Sequence, residues 1–176
     1  MCLAPQAPCC CGRVTSNVRP HARRIVTSVE VTDYSANYAD PLVRMWRASF
    51  EHGVGITDPH ALEEQLAYFR DEVLPHHRVQ LAWQGTTLVG FVASNSQSVA
   101  QLHVKVGLHR QGIGSHLLRL AKSASNGSLW LFTFQQNTVA RLFYEHHGFR
   151  AVKFGFEPTW QLADVKYEWH AGENAA

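Results

Sequence analysis

Beyond residue 11 the chain has no cysteine: Cys2, Cys9, Cys10 and Cys11 are its only four. No disulfide can therefore staple the rest of the chain, and thiol chemistry is excluded there. The adjacent Cys9, Cys10 and Cys11 also lack the spacing of a metal knuckle. A cysteine-free body suits a reducing compartment, so a cytoplasmic location is expected. Acid is missing from the start of the chain, where Arg13, Arg19, Arg23 and Arg24 all precede the first acidic residue, Glu30. The formal charge of +2 comes from that segment, and the remainder carries 12 basic against 14 acidic residues. A mildly acidic body argues against a nucleic-acid partner. No apolar run approaches the roughly 20 residues of a membrane helix, and residues 1–24 lack the apolar stretch of a secretory signal. That segment is expected to be a disordered or wrongly assigned tail. Residues 25–170 read as one domain and 171–176 as a short tail. The 11 histidines include the adjacent pairs His76-His77 and His146-His147. Adjacent side chains diverge, so no metal site is expected.

What is present centres on L-H-V-K-V-G-L-H-R-Q-G-I-G-S, residues 102–115. Leu102, Val104 and Val106 alternate as a strand with one buried face. His109 to Gly114 then lead into a helical pattern at Leu117, Leu118 and Ala121. A glycine-rich turn into a helix leaves backbone N–H groups unpaired, a ready site for phosphate oxygens. Gly112 and Gly114, without a Cβ, would let backbone and ligand approach closely. A P-loop is excluded because no lysine follows Gly114, and a Rossmann turn because His116 or Leu117 stands where its third glycine belongs. An ordinary glycine-rich helix start stays open on this stretch alone.

The hexamer His109-Arg110-Gln111-Gly112-Ile113-Gly114 resembles the phosphate loop Gln/Arg-x-x-Gly-x-Gly/Ala of acetyl-CoA-dependent acyltransferases, with His at its first position. Downstream, L-W-L-F-T-F (129–134), Asn137 and A-R-L-F-Y-E-H-H-G-F (140–149) are similar to the second signature of the GNAT superfamily, Asn…Tyr-Glu-x-x-Gly-Phe. Two signatures in order and at the right spacing carry the resemblance. The segment L-A-D-V-K-Y-E-W (162–169) looks like the closing strand of a bacterial subgroup, with Ala163 in place of its proline.

The order of elements agrees. A strand over 24–32 precedes a helix opened by Asp40-Pro41 and running to about Phe50. A loop at His52–Gly55 leads to a helix from Asp58-Pro59 that carries Leu62, Leu66, Phe69 and Val73. A hairpin over 79–94, a strand at 99–106, a helix from Gly112, a strand at 129–135 and a helix at 138–147 follow. Strands near 149–155 and 164–169 close the chain. The resemblance implies a mixed α/β (α+β-like) GNAT fold. Its central, mostly antiparallel twisted sheet splays between the fourth and fifth strands, with helices on both faces.

The resemblance further implies an N-acetyltransferase moving acetyl from acetyl-CoA to a primary amine, taken here as that of a small molecule. Leu102, His103 and Val104 would pair with the pantetheine arm, and His109, Arg110, Gln111, Gly112, Ile113, Gly114 and Ser115 would hold the pyrophosphate. Lys105, Arg119 and Lys122 could add charge near the 3′-phosphate or be plain surface. Tyr144 is the candidate acid for the departing thiolate, because a phenol carries a proton at neutral pH. Asn137 would cap its helix and touch pantetheine. His103 could act as base, or a chain of waters could. Family members that acetylate protein amino termini carry a glutamate where Phe132 stands, which weakens that reading. Trp46, Phe50, Glu51 and His52 are candidate acceptor contacts, with Trp46 and Phe50 equally readable as core. The rivals are a CoA-sensing or partner-binding module without turnover, and a peptide or protein amine acetyltransferase. A homodimer is conceivable through an exposed closing strand at 164–169.

Overall fold

The computed structural model describes residues 28–173. Within them the chain runs β1 (Glu30–Asp33), α1 (Ala39–Val54), α2 (Leu62–Tyr68, continued by a π-helical turn Phe69–Val73), β2 (Arg78–Gln84), β3 (Thr87–Ser94) and β4 (Val99–Val104). It continues through α3 (Ile113–Ser123), β5 (Ser128–Phe134), α4 (Thr138–His146), β6 (Arg150–Glu157) and β7 (Leu162–His170). The expectations for residues 1–24, and for the strand before Ser28, lie outside the described residues.

Two antiparallel sheets form, β1-β2-β3-β4 and β5-β7-β6. Among the described residues their strands meet at the start of β5. There a parallel bridge joins Ser98 to Trp130, and the Trp130 N–H donates to Gln97 O at 3.0 Å. Past that point β4 and β5 share no ladder among the described residues, so the sheet splays between the fourth and fifth strands as expected.

Alternation along the strands builds two cores, because successive side chains take opposite faces. Val79, Leu81, Phe91 and Ala93 turn to Leu42, Val43, Trp46, Phe69 and Val73 of the α1–α2 layer. Val92 and Val104 face the other way, onto Ile113, Leu117 and Leu118 of α3. Leu129, Leu131, Tyr144, Val165 and Tyr167 extend that second core under the β5-β7-β6 sheet. Helices therefore lie on both faces of the first sheet.

Four expectations change. The helix at Leu42 does not stop near Phe50: His52 and Gly53 are helical, and Gly55 ends α1 with φ 78°, the left-handed C-terminal position glycine favours. Gly53 is needed for its size, since a Cβ there would stand 2.8 Å from Asn137 Nδ2. Asp58 does not start the next helix. It is buried, accepts from the His60 N–H at 2.9 Å and draws Arg47 to 3.7 Å, while Glu64 caps α2 by accepting from the Ala61 N–H at 3.0 Å. The fourth strand ends at Val104, with Lys105 and Val106 beyond it. Finally, the closing strand is no edge. β7 is paired on both sides, by β5 and β6, and has no free ladder to offer a second copy.

Candidate functional site

The glycine turn gives α3 an open amino end. Gly112 caps it at φ 83°, and nothing lies within 4 Å of where its Cβ would stand. Arg110 also sits at positive φ (61°), a conformation that costs energy for a non-glycine residue. The first bond into the helix runs from the His116 N–H to Gly112 O. The amides of Gly112, Ile113, Gly114 and Ser115 have no acceptor among the described residues. They form the orphan set that an anion can satisfy.

A Cβ on Gly114 would come into ordinary contact with the Phe143 ring at 3.4 Å and Val104 Cγ2 at 3.6 Å, so α4 and β4 border the turn. Ser115 Oγ lies 2.9 Å from His147 Nε2, a second brace between α3 and α4. His109 is exposed and stacks on His52 of α1, ring centroids 5.9 Å apart and nearly parallel. Burial first, and then the neighbouring His52, lower the His109 pKa.

The charges suggested for the 3′-phosphate are partly committed elsewhere. Lys122 Nζ turns inward to His147 O at 2.6 Å and over the Trp169 ring at 4.5 Å. Arg119 Nη2 lies 2.7 Å from His116 Nδ1.

β4 carries Leu102, His103 and Val104 along the strand that borders the splay. His103 lies against Phe91 and Trp46, with centroids 5.6 and 5.8 Å away. Its Nε2 contacts Gln101 Oε1 at 3.0 Å and its Nδ1 lies 3.4 Å from Ser49 Oγ. Burial pushes its pKa down to about 3, so the ring is neutral at physiological pH.

On α4, Asn137 caps the helix by accepting from the Ala140 N–H at 3.1 Å. Beside it, Gln136 Nε2 donates to Val54 O at 2.7 Å, fastening the end of α1 to the β5–α4 turn. Tyr144 is 7% exposed, ringed by Phe143, Phe149 and Tyr167. Its hydroxyl has no hydrogen-bond partner among the described residues, and no fully enclosed side-chain oxygen lacks one. The hydroxyl therefore opens onto accessible space. Burial raises its pKa, so its proton stays in place.

The four acceptor candidates on α1 do not converge. Trp46 is buried core beneath His103, and His52 belongs with the glycine turn. Glu51 Oε1 accepts from the Asp58 N–H at 2.9 Å. Phe50 alone reaches an aromatic cluster at the end of β5: Trp160, from the β6–β7 loop, lies 4.7 Å from Phe50 and 4.9 Å from His60, and Phe134 lies 5.9 Å from Phe50. Trp160, His60 and Phe134 were missed in the sequence. The available signals were slight: an aromatic residue in a Pro-containing turn, and Phe134 at an outward position of an alternating strand.

The model of the GNAT acetyltransferase domain matches residues 75–151, from the start of β2 through the glycine turn to the Gly-Phe at the end of α4. No curated protein matches the chain in sequence. Among solved structures it is similar to the PaiA N-acetyltransferase of Thermoplasma acidophilum in complex with coenzyme A (TM-score 0.65, 20% identity, covering 81% of this chain and 99% of that one). YjaB of Escherichia coli in its apo form (0.68, 18%, 82% and 99%) and an acetyltransferase of Thermus thermophilus (0.67, 20%, 82% and 98%) are comparable. At such identities the structures speak for the fold, and the family model speaks for the motif-bearing segment. Residues 75–151 match the GNAT acetyltransferase domain, and the fold is the one these acetyltransferase structures share.

Proposed function

We propose that the protein is an N-acetyltransferase that moves the acetyl group of acetyl-CoA to a primary amine of a small molecule. The observation that carries the reading is the set of unpaired amides from Gly112 to Ser115, placed where a strand leaves its sheet. The similar Thermoplasma protein holds coenzyme A, which supports acetyl-CoA as donor here. Those amides take the pyrophosphate, the free side of β4 takes the pantetheine, and Asn137 stands where the arm ends.

The amine nitrogen attacks the thioester carbonyl, forming the C–N bond through a tetrahedral intermediate. As the C–S bond breaks, the sulfur takes negative charge. Tyr144 donates a hydrogen bond to it and, on passing its proton to the sulfur, regains one from solvent, while the nitrogen's surplus proton leaves to solvent. A phenol held above its ordinary pKa never stands empty at working pH. His103, neutral far below pH 7 and engaged at both ring nitrogens, is a weak proton acceptor. The base step is therefore assigned to water in the splay, with His103 as a wall of the pantetheine channel.

Two measurements test the reading together. CoA should raise the melting temperature in proportion to the logarithm of its concentration. Thiol release from acetyl-CoA should appear on adding a primary amine and be absent without one. A CoA-dependent melting shift with no thiol release across a broad amine panel would favour a binding module without turnover. Absence of both would remove the acetyltransferase reading.

A further inference from the structure

A hollow of about 320 Å³ lies on the outer face of the second sheet, lined by Phe132, Thr133, Phe134, Glu157 and Asp164. β5 borders this hollow with its outer face and the splay with its free edge. The lining joins two unlike chemistries. Phe132, 54% exposed, and Phe134 give apolar walls, and the Phe134 ring continues into the Phe50–Trp160 cluster. Glu157 and Asp164 give two carboxylates with no cation among the lining residues.

The Glu157 carboxylate is held in place. Glu157 Oε2 accepts from the Trp160 N–H at 2.7 Å. Burial works to raise its pKa, but hydrogen bonds from Trp160 and Thr159 outweigh that and hold it below the ordinary range. Gly155 faces Asp164 and leaves its carboxylate room, since a Cβ there would stand 2.5 Å from Asp164 Oδ1. The lysine nearest on this face, Lys166, is drawn away to Glu168 at 2.6 Å and over the Trp130 ring. Lys153, its partner across β6, does not line the hollow.

From this lining we infer that the hollow seats the acceptor and that the acceptor is a diamine with an apolar spacer. The inference rests on the acetyltransferase reading and deepens it. A nitrogen held between two carboxylates keeps its proton, because nearby negative charge favours the ammonium form, and an ammonium has no lone pair with which to attack. The nitrogen bound at Glu157 and Asp164 is therefore not the one that reacts. The spacer lies on Phe132 and Phe134, and the second amine reaches past the edge of β5 into the splay, where it loses its proton to water and attacks the acetyl carbonyl.

The test compares cadaverine with pentylamine, which has the same five-carbon chain and lacks the second nitrogen. Thiol release should be faster with cadaverine. Glu157→Gln and Asp164→Asn should each raise the KM for cadaverine by roughly tenfold or more, the scale of one charge-assisted contact. They should leave kcat for cadaverine, KM for acetyl-CoA and the CoA-induced melting shift nearly unchanged. Two variants guard against one that fails to fold, and the melting shift reports which of them did. Equal use of pentylamine, a preference for a peptide amino terminus, or an unchanged cadaverine KM in both variants would overturn the diamine inference and leave the acetyltransferase reading standing. Loss of thiol release with every amine in the native chain would overturn both.

Discussion

Tyr144 and Asn137 belong to one helix: Asn137 caps α4 and Tyr144 lies buried near its other end. The Asn137 cap was legible because its signal is local, a capping residue just before a helical pattern. The Tyr144 hydroxyl, unpartnered among the described residues yet on a buried side chain, is the feature expected of a positioned donor. Tyr144→Phe keeps the ring packing against Phe149 and Tyr167 and removes only the oxygen. Turnover should fall on the order of 10²-fold, with the KM for acetyl-CoA nearly unchanged. Steady-state kinetics checks this, and an unchanged kcat would return Tyr144 to a packing role. The residues Trp160, His60 and Phe134 were not legible in the same way. Each is an ordinary aromatic within its own segment, and only the approach of three distant segments makes them a cluster.

At the scale of elements, the α1–α4 junction carries the most consequence per bond. Gly53, Val54, Gln136 and Asn137 meet there, and the contact explains why α1 runs a turn past its expected end. Local sequence placed a glycine-rich loop at His52–Gly55. In the fold, the Val54 carbonyl gains a donor from Gln136 and the bare Gly53 admits Asn137, so the helix continues until Gly55. Asn137→Ala removes the α4 cap and should cost about 1 kcal/mol. That corresponds to a fall of about 2–4 °C in melting temperature for a domain of this size, measurable by calorimetry. No fall would mean that another group takes over the Ala140 amide. The late start of α2 has a similar cause. Asp58-Pro59 is a good helix opening on paper, but Arg47 and the Glu51–Asp58 bond hold Asp58 in the preceding loop.

Across the whole molecule, several histidines are kept neutral by the fold, and this sets how the protein responds to acid. His103 has its pKa pushed down to about 3, and burial also lowers those of His109 and His147. An unfolded chain protonates histidine near pH 6.5. Below that value the unfolded state binds more protons than the folded one, so stability present above about pH 6.5 is lost as pH falls toward 3. The urea midpoint should drop between pH 7 and pH 5, and the drop should be smaller in His103→Gln. Equal drops in both proteins would assign the acid sensitivity to other groups.

The sequence by itself determined what depends on neighbours along the chain: the apolar runs of β2 to β5, the glycine turn after β4, the Asn137 cap, the order of elements, and through paired signatures the family resemblance. Tertiary structure decided what depends on distant segments meeting. It put β7 in the middle of its sheet, which closes the strand through which a dimer was conceivable. It drew Trp46 into the core and His52 onto the glycine turn, dividing residues that stand within seven positions of one another. It also brought Phe132 and Phe134 of β5 together with Glu157 and Asp164, across a ladder that no local pattern records. The reason is physical. Periodicity reports which face of an element is apolar, whereas a side chain's partner is set by the packing and pairing of whole elements.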